Sequence, residues 1–231
     1  MNGEINTWVA KEFETLNLGS KRLERRFKMA MSDLSEQPEK SIFLASGSRA
    51  NAKAVYRMLA NEGCDKEEIL AAHRESAGNR NEEKVLLAVQ DTMAVNYSTH
   101  TKTEGLGYNC EQALGINAHS CLLLTPQGVP IGLLSQSVIT REEKADPRSH
   151  QEKRKRPIEE KESYRWLDTM KKAAENAPRD AQLIHIADRE GDIYELYSFA
   201  PKNSAVFAVF FRSGCVVVLA RRQPCGVLRL A

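Results

Sequence analysis

The stretch AQLIHIADREGDIYELY, residues 181–197, decides the reading of this chain. Its apolar run, residues 182–187, has strand character and delivers Asp188 at its end, and an acidic helix start follows at once. Upstream, VLLAVQDT (residues 85–92) does the same, with the apolar run 85–89 leading to Asp91. A short continuous apolar run suits a strand buried on both faces. If the two strands lie parallel and adjacent, both carboxylates emerge at one carboxyl edge, where ligands of open α/β sheets collect. A single Asp after a strand reads as a helix cap or turn former. Two in matching context argue for a shared site. One or two carboxylates, with water and substrate phosphate, suffice to hold Mg²⁺.

Around these runs the periodicity predicts the order β, β, β, α, β, α, β, hence a mixed sheet with helices. Residues 116–125 and 129–140 read as strands flanking the turn Pro126-Gln127-Gly128. Residues 141–160 are highly charged, contain Pro147 and Pro157, and read as a loop or insertion. Residues 158–177 follow as an amphipathic helix with Trp166, Leu167, Met170 and Ala174 on its apolar face. A short helix over 190–199 and a strand over 205–211 complete the pattern.

Residues 8–77 are different in kind and read as all-helical. After Ser20, an N-cap candidate, Leu23, Phe27, Ala30, Met31 and Leu34 form one apolar stripe. A second helix after Ser48 is expected to bury Ala50, Ala54, Val55, Met58 and Leu59, with Tyr56 read as core. A third lies around 65–74. The domain reading is therefore a helical unit over 1–78, an α/β unit over 79–203 and a divergent tail over 204–231.

With 231 residues, 42% hydrophobic and 28% charged, the composition is that of an ordinary globular chain. No apolar run approaches the roughly 20 residues that span a bilayer, and the N-terminus lacks a signal-peptide layout. The expectation is a cytoplasmic, nucleoid-associated protein with no membrane partner. Five cysteines without C-x-x-C spacing read as free thiols, not as a zinc site or disulfide framework. The histidines lack metal-ligand spacing, and His119 and His185, inside apolar runs, read as satisfied buried residues.

Net charge is +2, but residues 204–231 hold four arginines and no Asp, Glu or Lys, leaving 29 basic against 31 acidic residues before them. Local clusters must therefore carry any case for nucleic acid. One is KRLERRFK, residues 21–28, with five cations in eight residues. Another is the basic set of the second helix, which follows a glycine turn in a helix-turn-helix-like layout. Arg22, Arg25, Arg26, Arg49 and Lys53 are the candidates for DNA contact. The KRKR run at 153–156 reads equally as a phosphate contact or a solvated loop.

At this point the residues resemble a family. QDTMAVNYSTH, the GLG at 105–107, HSCLLLTPQGVPIGLL, PIEEKESYRWL and IADREGDIYEL are similar, in order, to blocks of bacterial DDE-type insertion-sequence (cut-and-paste) transposases. W-x4-F, LGSKRLERR and SGSRANAKAVYR resemble the end-binding domain of the same group. The resemblance implies an RNase H-like core, Mg²⁺ (or Mn²⁺) as cofactor and transposon terminal inverted repeats as the double-stranded DNA partner. It also implies assembly as a homodimer or with a full-length transposase. It makes Asp91 and Asp188 two catalytic metal ligands. Arg189 and Glu190 become supporting contacts to metal shell or DNA, and Lys161 and Arg165 phosphate-contact candidates.

The resemblance stops short of the family's third acidic ligand, a glutamate within a Y-x2-R-x3-E-x6-K block. The expectation is a C-terminally truncated or frame-shifted transposase, inactive alone. The alternative is a non-catalytic fragment that occupies transposon ends and inhibits the full-length enzyme.

Overall fold

The computed structural model describes residues 4–100, 102–109, 111, 113–142, 149–178, 180–202, 206–210 and 216–219. The chain divides into two compact units, Met1–Asn81 and Glu82–Ala231. Among the described residues no helix is long and apolar enough to cross a membrane.

The first unit is helical: α1 (Thr7–Glu12), α2 (Lys21–Glu36), α3 (Ile42–Ala45), α4 (Arg49–Leu59) and α5 (Lys66–Asn79). Val9, Phe13, Phe27, Val55, Met58 and Ala72 share its core, where Phe13 and Phe27 meet edge to face at 4.9 Å. Ser20 precedes α2 without a side-chain cap bond, whereas Asp65 caps α5 by accepting the N–H of Glu67 and Glu68 at 2.7 and 3.0 Å.

Helix α4 turns differently from its expected face. It buries Ala52, Val55 and Met58, leaving Tyr56 and Leu59 more than half exposed. Three alanines in succession at alternate positions give little apolar contrast, so packing against α2 sets the rotation. Helix α5 is tied to α1 through Glu12, which accepts from His73 Nδ1 at 2.5 Å, from Ser76 Oγ at 3.0 Å and from the Arg80 guanidinium. Burial pushes the Glu12 carboxyl up, but the bonds from Arg80 and Ser76 and the neighbouring cations outweigh it and its pKa is lowered.

The second unit is a seven-stranded mixed sheet with helices. Its strands are β1 (Val85–Asn96), β2 (Gly107–Tyr108), β3 (Leu114–Leu124), β4 (Pro130–Ile139), β5 (Gln182–Ala187), β6 (Val206–Phe210) and β7 (Val216–Leu219). The order is β2-β3-β1-β5-β6-β7, with β4 on β3. Strand β5 lies parallel beside β1 and β6 parallel beside β5; the remaining pairs are antiparallel. Strand β1 runs seven residues beyond its apolar run, because β3 pairs with it as far as Asn96↔Gly115.

The insertion read as a loop holds a helix, α6 (His150–Lys155), started by a Ser149–Glu152 capping box. Of the tail over 204–231, only β6 and β7 lie among the described residues. Cys64 and Cys121 carry free thiols, and Cys110, Cys215 and Cys225 lie outside the described residues.

One face of the sheet is covered by α7 (Tyr164–Glu175) and α8 (Tyr194–Lys202). Ala173 packs with Leu86, Ala88 and Leu183. Trp166, Met170 and Leu196 pack with Ala187 and Val209. The opposite face keeps Val85, Leu87 and Val89 only half-buried and leaves Leu122 and Val138 exposed.

Trp166, fully buried, is the keystone of the helix-covered layer, so Trp166→Ala is expected to cost about 3–5 kcal/mol. Urea unfolding of the full chain checks this; a loss below about 1 kcal/mol would contradict so central a role.

Candidate functional site

The two aspartates follow from the β1–β5 pairing. Its register puts Leu86 opposite Leu183, Ala88 opposite His185 and Val89 opposite Ile186. Two residues further on stand Asp91 and Asp188. Side chains alternate along a strand, and Asp188 is still extended at φ −79°, ψ −172°. Carried two residues beyond the last pair, that alternation puts both aspartates on the half-covered side, just past the carboxyl end of the β1–β5 ladder. Both are exposed. Asp91 sits inside β1 rather than at its end, at the point where the parallel partner stops.

Each aspartate is oriented by a backbone donor. The Thr92 N–H donates to Asp91 Oδ1 at 2.8 Å, and the Glu190 N–H donates to Asp188 Oδ1 at 2.8 Å. The second bond makes Asp188 the cap of a 3-10 turn, Arg189–Gly191. Gly191 lets that turn lie flat on β5: a Cβ there would stand 2.5 Å from Ala187 Cβ and 3.4 Å from the Trp166 ring. Two oxygen donors on one face fit a hard cation that completes its shell with water and phosphate. Among the described residues no group of three or more His, Cys, Asp or Glu forms a fuller metal cage.

Behind the aspartates, on the helix-covered face, runs a buried polar chain. Arg165 Nε donates to Thr92 Oγ1 at 3.2 Å. The Thr92 hydroxyl, accepting there, gives its own hydrogen to His119 Nδ1 at 2.8 Å. His119 must then carry its proton on Nε2, which donates to Gln90 Oε1 at 3.3 Å. The ring packs edge-on against Trp166 at 4.6 Å. Burial first, then the Arg165 charge, push the His119 pKa down to about 4, so it stays a neutral structural residue at physiological pH.

His185 is buried too, and its pKa is pushed down to about 4 by burial. Unlike His119, it has no hydrogen-bond partner for either ring nitrogen among the described residues, which corrects its reading as a satisfied residue. Its register neighbours are Ala88 and Phe207, residue types that carry no side-chain hydrogen-bonding group.

The other expected contacts are spread out. Arg189 is exposed beside Asp188, and Lys161 is half-buried after a 3-10 turn. Arg165, read as a phosphate contact, has only 9% of its side chain exposed and pairs with Glu162 and Glu190. Within the first unit, Arg22, Arg25 and Arg26 of α2 line a cleft of about 480 Å³ against α4, floored by Leu23, Met29 and Met58. Arg57 lines it as well. The signal for Arg57 was its place four residues after Lys53 and eight after Arg49, along one side of α4. Arg49 and Lys53 are exposed near the N-terminus of that helix, which follows a turn held by Gly47 at φ +66° and a Ser48 cap on Asn51 N–H. Cations clustered at a helix start are suited to phosphate oxygens.

The histidines set a pH dependence. Both are neutral when folded, but the unfolded chain takes up their protons near the ordinary value of 6.5. Stability therefore falls as pH drops from about 6.5 towards 4, by up to about 1.4 kcal/mol per pH unit for each histidine. Replacing His185 by Met removes one titration without breaking a bond. The His185→Met chain should show a flatter loss between pH 7 and pH 5 in urea unfolding, and an unchanged slope would contradict the assignment.

Residues 5–64 match the family model described as transposase DNA-binding. No curated protein matches the chain. The matched stretch contains α1 to α4, the arginine-lined cleft and the Gly47 turn, so the N-terminal unit is similar to transposase DNA-binding domains.

Proposed function

We propose that the chain is a DDE-type transposase with an RNase H-like core, in which Asp91 and Asp188 hold Mg²⁺ or Mn²⁺ for strand cleavage and transfer at transposon ends. The observation that supports the reading is the β1–β5 register, whose last pair, Val89↔Ile186, stands two residues before Asp91 and Asp188 alike. The antiparallel β1–β3–β4 arm followed by a parallel β5 beside β1 supports the RNase H-like part. The transposase DNA-binding match over residues 5–64 supports the substrate.

A bound divalent cation would activate the attacking oxygen and stabilise the leaving one in an in-line displacement at phosphorus. The chain's own residues bind and orient. Asp91 and Asp188 supply the carboxylate oxygens, each turned by a backbone N–H. Arg189, exposed beside Asp188, meets a strand's phosphates. The cations of the α2–α4 cleft, with Arg49 and Lys53, grip the terminal inverted repeats. A second copy of the chain or a longer transposase completes the assembly, acting on DNA in the cytoplasm.

Two measurements on the full chain test this. In gel shifts on duplex DNA, Arg25→Glu with Arg26→Glu should weaken binding and lower the salt slope by about 0.9 for each phosphate no longer neutralised. Binding equal to wild type would remove the cleft from the interface. Mn²⁺ binding followed by electron paramagnetic resonance should be lost in Asp91→Ala and in Asp188→Ala; retention in both would sink the metal site. On this reading the third acidic ligand that the resemblance implies, a glutamate in a Y-x2-R-x3-E-x6-K block, has no counterpart block in the 231 residues, and strand cleavage by them alone should be negligible. Plasmid nicking that Asp188→Ala abolishes would show that two carboxylates suffice.

A further inference from the structure

We propose that Arg165 is a positioning residue: its guanidinium clamps the segment carrying Asp91 to the turn carrying Asp188, and so sets the spacing of the two carboxylates. The inference rests on the reading of Asp91 and Asp188 as a metal site and names the device that assembles it.

The need for a clamp follows from the pairing. Parallel β1–β5 pairing ends at Val89↔Ile186, two residues short of each aspartate. The sheet ladder therefore does not hold Asp91 and Asp188 together where the cation would sit. Arg165 bridges that gap from the helix-covered side. Its Nε donates to Thr92 Oγ1 at 3.2 Å, and its Nη2 donates to Glu190 Oε2 at 2.8 Å.

The two residues it grips are the two that orient the carboxylates. The Thr92 N–H bonds Asp91 Oδ1, and the Glu190 N–H bonds Asp188 Oδ1. One rigid fork thus reaches both aspartates through one intermediate residue each. The fork itself is anchored. Nη1 donates to Glu162 O at 3.1 Å and to Glu162 Oε1 at 3.3 Å, and the guanidinium carbon lies 5.9 Å from the Trp166 ring centroid. With four bonds to protein oxygens and 9% of the side chain exposed, Arg165 has little left to offer a DNA phosphate.

A planar fork with fixed donors is needed for this. A lysine ammonium places all its donors at one point and cannot span Thr92 and Glu190 together. Partners that orient metal ligands typically matter about ten- to a hundredfold in metal affinity.

The experiment uses the full chain and follows Mn²⁺ affinity by electron paramagnetic resonance, duplex DNA binding by gel shift and folding by circular dichroism. Arg165→Met and Arg165→Lys should each weaken Mn²⁺ binding about tenfold or more while DNA binding by the N-terminal unit stays at the wild-type level. Glu190→Gln, which keeps the shape and removes the charge, should weaken Mn²⁺ binding in the same direction. Its effect should be smaller than additive with Arg165→Met, because both cut one clamp. If Arg165→Met fails to fold, Arg165→Lys and Glu190→Gln carry the test with the same expectation. Folded Arg165 variants that bind Mn²⁺ like wild type, while Asp188→Ala does not, would overturn the clamp and leave the metal site standing. Wild-type Mn²⁺ affinity in Asp188→Ala would overturn the metal site itself, and the clamp with it.

Discussion

The parallel pairing of β1 with β5 is the constraint from which the placement of Asp91 and Asp188 follows. Side chains alternate with period two, so a slip of one residue would send one aspartate to the helix-covered face and leave the other behind. The register is held on the covered side. Leu86 faces Leu183, Ala88 faces His185, and Ala173 of α7 packs into the same apolar cluster. The Gln182 N–H bond to Lys84 O at 2.8 Å adds a rung at the start of the ladder. Burial on one face thus decides which residues stand on the other.

The covered face is not uniformly apolar near the site. From Arg165 through Thr92 and His119 to Gln90 runs a directional chain of three hydrogen bonds, which ends at Gln90 with its Nε2 unpartnered among the described residues. Such chains are costly when incomplete, because an unpaired polar group in a low-dielectric layer loses its hydration without return. Trp166 closes the layer, touching the His119 ring on one side and packing with Ala187 and Leu196 on the other. Gly191 permits this, since any side chain there would collide with Ala187. Packing is thus solved within one turn of α7, while the indole N–H of Trp166 stays buried without a hydrogen-bond partner among the described residues.

The first unit relies on a different balance. Its core is small and apolar, and its charge is carried outward on α2 and α4, where arginines line a cleft. Helix α5 lies beyond the stretch that matches the transposase DNA-binding model, yet Ala72 belongs to the core and His73, Ser76 and Arg80 converge on Glu12 of α1. The compact unit is thus longer than the matched segment. Its last helix locks the first.

Much of this was legible in the residues. Two apolar runs each leading to a carboxylate announced paired strands, the Pro126–Gly128 turn announced the β3–β4 hairpin, and the 21–28 cluster announced a basic helix, because strand burial, turn chemistry and charge are local properties. What depended on neighbours was not legible. The length of β1 was set by β3, the rotation of α4 by α2, and the helix in the charged insertion by a capping box inside a stretch dominated by prolines and charge. Arg57 and Arg165 illustrate the two directions of this limit. Arg57 was not among the contact candidates yet lines the cleft with α2, whereas Arg165 read as a phosphate contact and is drawn inward by Thr92, Glu162 and Glu190. The order of amino acids by itself determined which side chains could do chemistry. Only the tertiary structure decided which of them meet, because a strand's register and a guanidinium's partners are chosen by segments dozens of residues away.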